Sequence, residues 1–113
     1  MEWTERRCVP CEGGTAKLTP EKVKDLLETL EGWEAAGDRI RKSFKFSDFR
    51  GAMRFVNQMA ELAEQEGHHP DFSVHYSKVE VTTWTHSIGG LSENDFILAA
   101  KIDARPESRG VMH

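Results

Sequence analysis

Nowhere in this 113-residue chain do apolar residues continue for the roughly 18 positions that a membrane-crossing helix needs. Nor does the chain open with the charged, apolar and small-residue series of a signal peptide, so a soluble, cytoplasmic protein without membrane contact is expected. Basic residues are too scattered for a phosphate-binding stripe: 15 Lys and Arg stand against 19 Asp and Glu, a net charge of −4. Direct nucleic-acid binding is not expected. Cysteine is also scarce, since Cys8 and Cys11 are too few for a disulfide framework and supply half the ligands of a structural zinc site. Their Cys-Val-Pro-Cys spacing fits a redox motif, but Pro10 and Gly13-Gly14 argue against the usual strand-to-helix setting, and two ordinary thiols are the simpler reading. Repeats and low-complexity segments are absent. What remains is one domain with a modest core, for which oligomerisation would add stability.

Residues 1–18 mix charge with Pro and Gly and carry no apolar period, so they read as an N-terminal arm before a domain over 19–103 and a loose tail over 104–113. Thr19 is suited to cap a first helix with Pro20 at its first position; Val23, Leu26, Leu27 and Leu30 mark one face, and Gly32 stops it. From 33 to 46, two extended pieces flank a Gly37-Asp38 turn, and the second alternates Ile40, Lys42, Phe44 and Phe46 inward. Lys42 is the exception on that face and is expected to snorkel to the sheet rim. A second helix runs from a Ser47 cap to Gly67, with Phe49, Ala52, Met53, Val56, Met59, Ala60 and Ala63 as its core stripe. Phe55 and Leu62 fall beyond that stripe, seven residues apart, and read as a second seam for packing against another subunit. Strands over 71–76 and 79–85 follow, and a third helix opens at Ser92, with Asp95 placed as in a capping box, and ends near Asp103. The order α-β-β-α-β-β-α gives an α+β fold, a four-stranded antiparallel sheet with helices on one face.

Four of the five histidines lie within residues 67–90. If Ser77 and Lys78 form a two-residue turn, Tyr76 faces Val79 and position 69 faces position 86, which brings His69 and His86, with His68 beside them, to one end of a hairpin. Such a cluster could hold zinc, transfer protons, or be an accident of a polar sheet end. Adjacent His68 and His69 before Pro70 should point in different directions, which weakens the metal reading. Proton transfer fits better, because an imidazole's unperturbed pKa is about 6.5 and nearby carboxylates can tune it. Glu64, one turn before His68, and Asp95 are the available carboxylates, although a helix cap accounts for Asp95 and an exposed helix side chain accounts for Glu64. His75, near the turn, reads as a surface histidine, and His113 belongs to the tail.

Glu64 with Gly-His-His-Pro at 67–70, the Tyr76-Ser77-Lys78-Val79 turn, Thr85-His86, and Gly-Leu-Ser-Glu-Asn-Asp-Phe-Ile-Leu-Ala at 90–99 resemble the pterin-4a-carbinolamine dehydratases, whose animal members double as the dimerisation cofactor of a hepatocyte nuclear factor. The resemblance covers roughly residues 18–103, and the arm is similar to that of bacterial members. It implies the fold derived above and a lyase that dehydrates 4a-hydroxytetrahydropterin to quinonoid dihydropterin in tetrahydrobiopterin recycling. His68 and His86 match the residues thought to act as general acid and base, and His69 matches one that chiefly orients the pterin. Pro70, Thr85 and Ser87 match positions that line the pterin with the three histidines, while Glu64 and Asp95 match supporting carboxylates. Gly67 departs from members that carry an acidic residue there. No metal or cofactor is implied, a homodimer or homotetramer is, and an aromatic amino acid hydroxylase is the functional partner suggested. The alternative is a protein-binding module of the same fold, a transcriptional cofactor or an assembly factor, with little or no catalysis.

Overall fold

The structure, a computed structural model, describes residues 2–9 and 16–109. Thr19 caps α1 (Pro20–Leu27), its hydroxyl accepting the Lys22 N–H at 3.2 Å, and Val23 and Leu26 face inward. The helix stops five residues before Gly32, because residues 28–30 turn back by tighter three-residue hydrogen bonds to Asp25, Leu26 and Leu27. β1 (Glu34–Ala36) and β2 (Arg39–Lys45) pair across the Gly37-Asp38 turn, where Gly37 takes φ +64. The sheet continues with β4 (Lys78–Thr83) beside β2 and β3 (Asp71–His75) at the edge, all antiparallel, in the order β1-β2-β4-β3. Ile40, Phe44, Val79 and Val81 fill its inner face, while Arg41, Ser43 and Glu80 face outward. Lys42 does not run out to the rim. It crosses to Asp103, 2.9 Å away, and to the Glu31 carbonyl, also at 2.9 Å, tying β2 to the end of the third helix.

Asp48, not Ser47, caps α2 (Phe49–Glu66) by accepting the Gly51 N–H at 2.7 Å. The buried face of α2 is rotated from the expected stripe. Phe55 and Leu62 are 0% and 1% exposed, whereas Phe49 is half exposed and Ala60 faces outward. Phe55 packs its ring 4.6 Å from Phe44 and 5.2 Å from Phe46, so it belongs to the sheet contact and the seam between subunits read for this pair is core. α3 (Glu93–Asp103) closes the core with Phe96, Ile97, Leu98, Ala99 and Ile102, and both halves of its Ser92–Asp95 capping box are formed. Its other flank is covered by the arm. There Trp3, in a 3-10 turn over Trp3–Glu5, stacks 5.9 Å from Phe96 and donates Nε1–H to Thr29 at 2.7 Å. The tail forms another 3-10 turn, Pro106–Arg109, held on α2 by the Glu107–Arg54 ion pair at 2.9 Å. Among the described residues, no helix is long and apolar enough to cross a membrane.

Candidate active site

Asp95 lies at the first turn of α3 with no exposed surface, and four donors converge on its two oxygens. Oδ1 accepts the Thr83 hydroxyl at 2.7 Å and contacts His68 Nε2 at 2.7 Å; Oδ2 accepts the Thr85 hydroxyl at 2.8 Å and the Ser92 N–H at 3.0 Å. Thr85 has one hydroxyl proton and gives it to Asp95, so its 2.7 Å contact with Ser92 has the serine as donor. Asp95 therefore ends β4, caps α3 and holds His68. Because the carboxylate accepts, His68 carries a proton on Nε2, and Nδ1 is the accepting nitrogen of the neutral ring. Its side chain is 11% exposed.

His68 follows Gly67, whose left-handed φ of +66 ends α2 and turns the chain toward β3. His69, on the outer side, contacts Glu64 Oε2 through Nε2 at 2.6 Å with both groups largely exposed. His86 opens a 3-10 turn, His86–Ile88, closed by a Thr85–Gly90 bridge with Thr85 N–H donating to the Gly90 carbonyl at 2.8 Å. The indole N–H of Trp84 donates to His86 Nε2, with the rings edge-on and 4.7 Å apart. The Arg39 guanidinium lies 3.5 Å from the Trp84 ring centre.

The strands do not set His69 opposite His86. Val74 faces Val79 rather than Val81, so the turn is Tyr76-Ser77, with Tyr76 at φ +53, and the same register carried outward sets position 69 against 84. The two-residue shift keeps every side chain on its expected face. The histidines share a cleft because residues 84–90 curl back after β4. That cleft, of about 440 Å³, is of small-ligand size and is lined by His68, His69, Thr85, His86 and Ser87 together with Gly67, Trp84, Val9 and Asn94.

Residues 16–105 match the family described as pterin 4 alpha carbinolamine dehydratase. The chain belongs to that family. A relative from Rubrobacter xylanophilus bearing the family name is 46% identical over 103 residues, 90% of this chain and 96% of the relative. Another, from Nitrosomonas eutropha, is 50% identical over 100 residues, 88% of each chain. Among solved structures, a transcriptional coactivator/pterin dehydratase from Brucella melitensis is 39% identical with a TM-score of 0.75, over 78% of this chain and 96% of the other. A pterin dehydratase-like protein identified as a RuBisCO assembly factor in the alpha-carboxysome is 25% identical with a TM-score of 0.54, over 64% of this chain and 83% of the other.

Among the residues that resemblance to the dehydratases singles out, Pro70 does not line the cleft, and Glu64 and Asp95 stand behind His69 and His68. His75 lies at the far end of the hairpin, exposed, near Ser73 and Glu80. Sequence reasoning passed over three lining residues. Trp84 stands two before His86, a spacing that sends both off the same side of an extended chain; Asn94 reads only as a helix first-turn residue; and nothing local links Val9 to either. Among the described residues, no three His, Cys, Asp or Glu are grouped to hold a metal ion. Burial and then the Glu66 carboxylate push the Cys8 thiol up to about 12, which keeps it protonated and unreactive. Pro10, Cys11 and His113 lie outside the described residues.

Proposed function

We propose that this dehydratase-family chain removes water from 4a-hydroxytetrahydropterin to give quinonoid dihydropterin, in the cytoplasm and in tetrahydrobiopterin recycling, by acid and base catalysis from His68 and His86. The observation that carries the reading is the pairing of opposite ring environments on one cleft: His68 backed by a fully buried carboxylate, and His86 accepting an N–H. Breaking the C4a–O bond requires a proton on the leaving oxygen and loss of a proton from the adjacent ring nitrogen, so water departs and a C=N bond forms. The Asp95 carboxylate holds His68 by Nε2, which leaves the other ring nitrogen to deliver the first proton. The lone pair on His86 Nε2, now taken by the Trp84 indole, suits it to accept the second from a substrate N–H that displaces the indole. His69, more exposed and braced by Glu64, orients the ring, with Thr85 and Ser87 beside it.

The test is a stopped assay of 4a-carbinolamine dehydration with purified protein. His68→Ala and His86→Ala should each lower the rate by about 100-fold or more, the usual scale for one acid or base. Wild-type turnover in both would refute the assignment. Chelation should leave the rate unchanged, since each histidine is engaged with a different side chain. The names of the two structural relatives motivate the rival reading, a transcriptional cofactor or assembly factor with little or no catalysis, and that reading requires little or no dehydration by the wild-type protein. A homo-oligomer, dimer or tetramer, is proposed on a different surface from the Phe55/Leu62 seam: edge strand β3 and its turn leave Phe72 46% and Tyr76 68% exposed. An aromatic amino acid hydroxylase is the proposed source of the substrate.

A further inference from the structure

The cleft has a wall built from a segment outside residues 16–105, the part of the chain that matches the family. Val9 lines the cleft beside Asn94, yet its side chain is not packed into the core; the residue is 62% exposed. Its backbone is nevertheless held on both sides by one side chain. The Val9 N–H donates to Asn94 Oδ1 at 2.9 Å, and Asn94 Nδ2 donates to the Val9 carbonyl at 2.5 Å, as a neighbouring strand would. Asn94 itself is 5% exposed.

The preceding residues are fastened in turn. Cys8 N–H donates to Glu66 Oε1 at 2.9 Å, and the other Glu66 oxygen meets Lys101 Nζ at 2.7 Å, with both side chains nearly buried. Arg7 reaches the Gln65 carbonyl at 3.1 Å, and Arg6 pairs with Glu93 at 2.6 Å. Burying Trp3 would require none of this at Val9. An apolar, largely exposed residue held at the mouth of this cleft by a double hydrogen bond is placed for contact with a ligand. Asn94 adjoins Asp95, so one turn of α3 positions both this wall and His68.

Resting on the dehydratase reading above, we infer that Val9 contacts the saturated, carbon-rich edge of the reduced pterin and that Asn94 is the positioning residue that holds it there. The polar ring edge is left to the histidines and hydroxyls. Four variants test this in steady-state dehydration and thermal unfolding. Val9→Ala should raise KM about 5-fold, the order expected for losing part of an apolar contact, with kcat within about twofold and an unchanged melting temperature. Asn94→Ala should raise KM by a similar factor, and the double variant no further, because both act through the same contact. Asn94→Asp, which keeps the acceptor for the Val9 N–H, should recover part of the loss. A purely structural strap would instead lower the melting temperature in Asn94→Ala and leave KM unmoved in Val9→Ala. A wild-type protein that turns over while Val9→Ala keeps the wild-type KM overturns the wall alone; a wild-type protein that neither dehydrates the carbinolamine nor binds tetrahydrobiopterin by calorimetry overturns the dehydratase reading and this inference with it.

Discussion

Asp95 performs two tasks that together demand a carboxylate. As a cap it satisfies the Ser92 N–H, and as an anchor it accepts from His68 while two threonine hydroxyls complete its lone pairs. Asp95→Asn substitutes a donor for one acceptor oxygen, so at least one buried N–H or hydroxyl loses its partner. Stability should fall by about 2–3 kcal/mol in urea unfolding, and kcat should fall more than KM rises. Wild-type kcat in this variant would remove Asp95 from the mechanism. Two other carboxyls predict opposite pH behaviour. Burial alone would raise the Glu66 carboxyl, but Lys101, the Cys8 N–H and Arg7 outweigh it and hold the group below the usual range. Its contribution is therefore present above the ordinary carboxylate value and lost as pH falls through the lowered one. Asp103 is raised by burial, only partly offset by Lys42 and the Trp33 indole N–H, so its contribution is present below the ordinary value and lost as pH rises through the raised one. Urea melts across the acid range should show Glu66→Gln with a flattened acid limb; a wild-type limb in that variant would contradict the Glu66 assignment.

On the scale of elements, α2 shows how packing selects a helix face. Its apolar arc is wide enough to admit two phases, and the fold takes the one that buries Phe55 against Phe44 and Phe46 and buries Leu62 with it, leaving Phe49 half exposed. Phe55→Ala should cost about 3–5 kcal/mol, and Phe49→Ala within about 0.5 kcal/mol. Denaturant midpoints of equal size for the two would contradict this packing. Glu at both 55 and 62 would unfold the domain rather than dissociate it. The end of α2 offers a milder test. Gly67 sits at φ +66 with open space around an added Cβ, so Gly67→Ala should cost only the conformational penalty, about 1 kcal/mol, with no steric addition.

For the whole molecule, three segments meet at one end of the sheet: the α2 terminus supplies His68 and His69, the segment after β4 supplies His86, and the start of α3 supplies Asp95. The opposite face of the sheet and the β3 edge remain open. If copies of the chain pair along that edge, Phe72→Glu should lower the mass seen by light scattering at micromolar concentration while leaving the fold and cleft intact. An unchanged mass, or a wild-type monomer, would rule out that interface.

The element order, both hairpins, the Thr19 and Gly67 helix ends and the Ser92–Asp95 capping box follow from sequence alone, because each depends on a period or on residues within one turn of one another. The family motif also pointed to the three histidines without any coordinates. The hairpin register was not accessible in this way, since it puts Tyr76 at a positive φ that tyrosine rarely adopts, while Phe46 of the neighbouring strand segment pins the Ser77 carbonyl at 2.7 Å. The phase of α2, the burial of Trp3 and the crossing of Lys42 to Asp103 likewise arise from partners distant in the chain. The same holds within the cleft: the contact of Asp95 with His68 spans 27 residues and that of Val9 with Asn94 spans 85. Such pairs leave no periodic trace, because a side chain's hydrogen-bonding capacity is a property of sequence, but which group lies within 3 Å of it is decided only when the layers close.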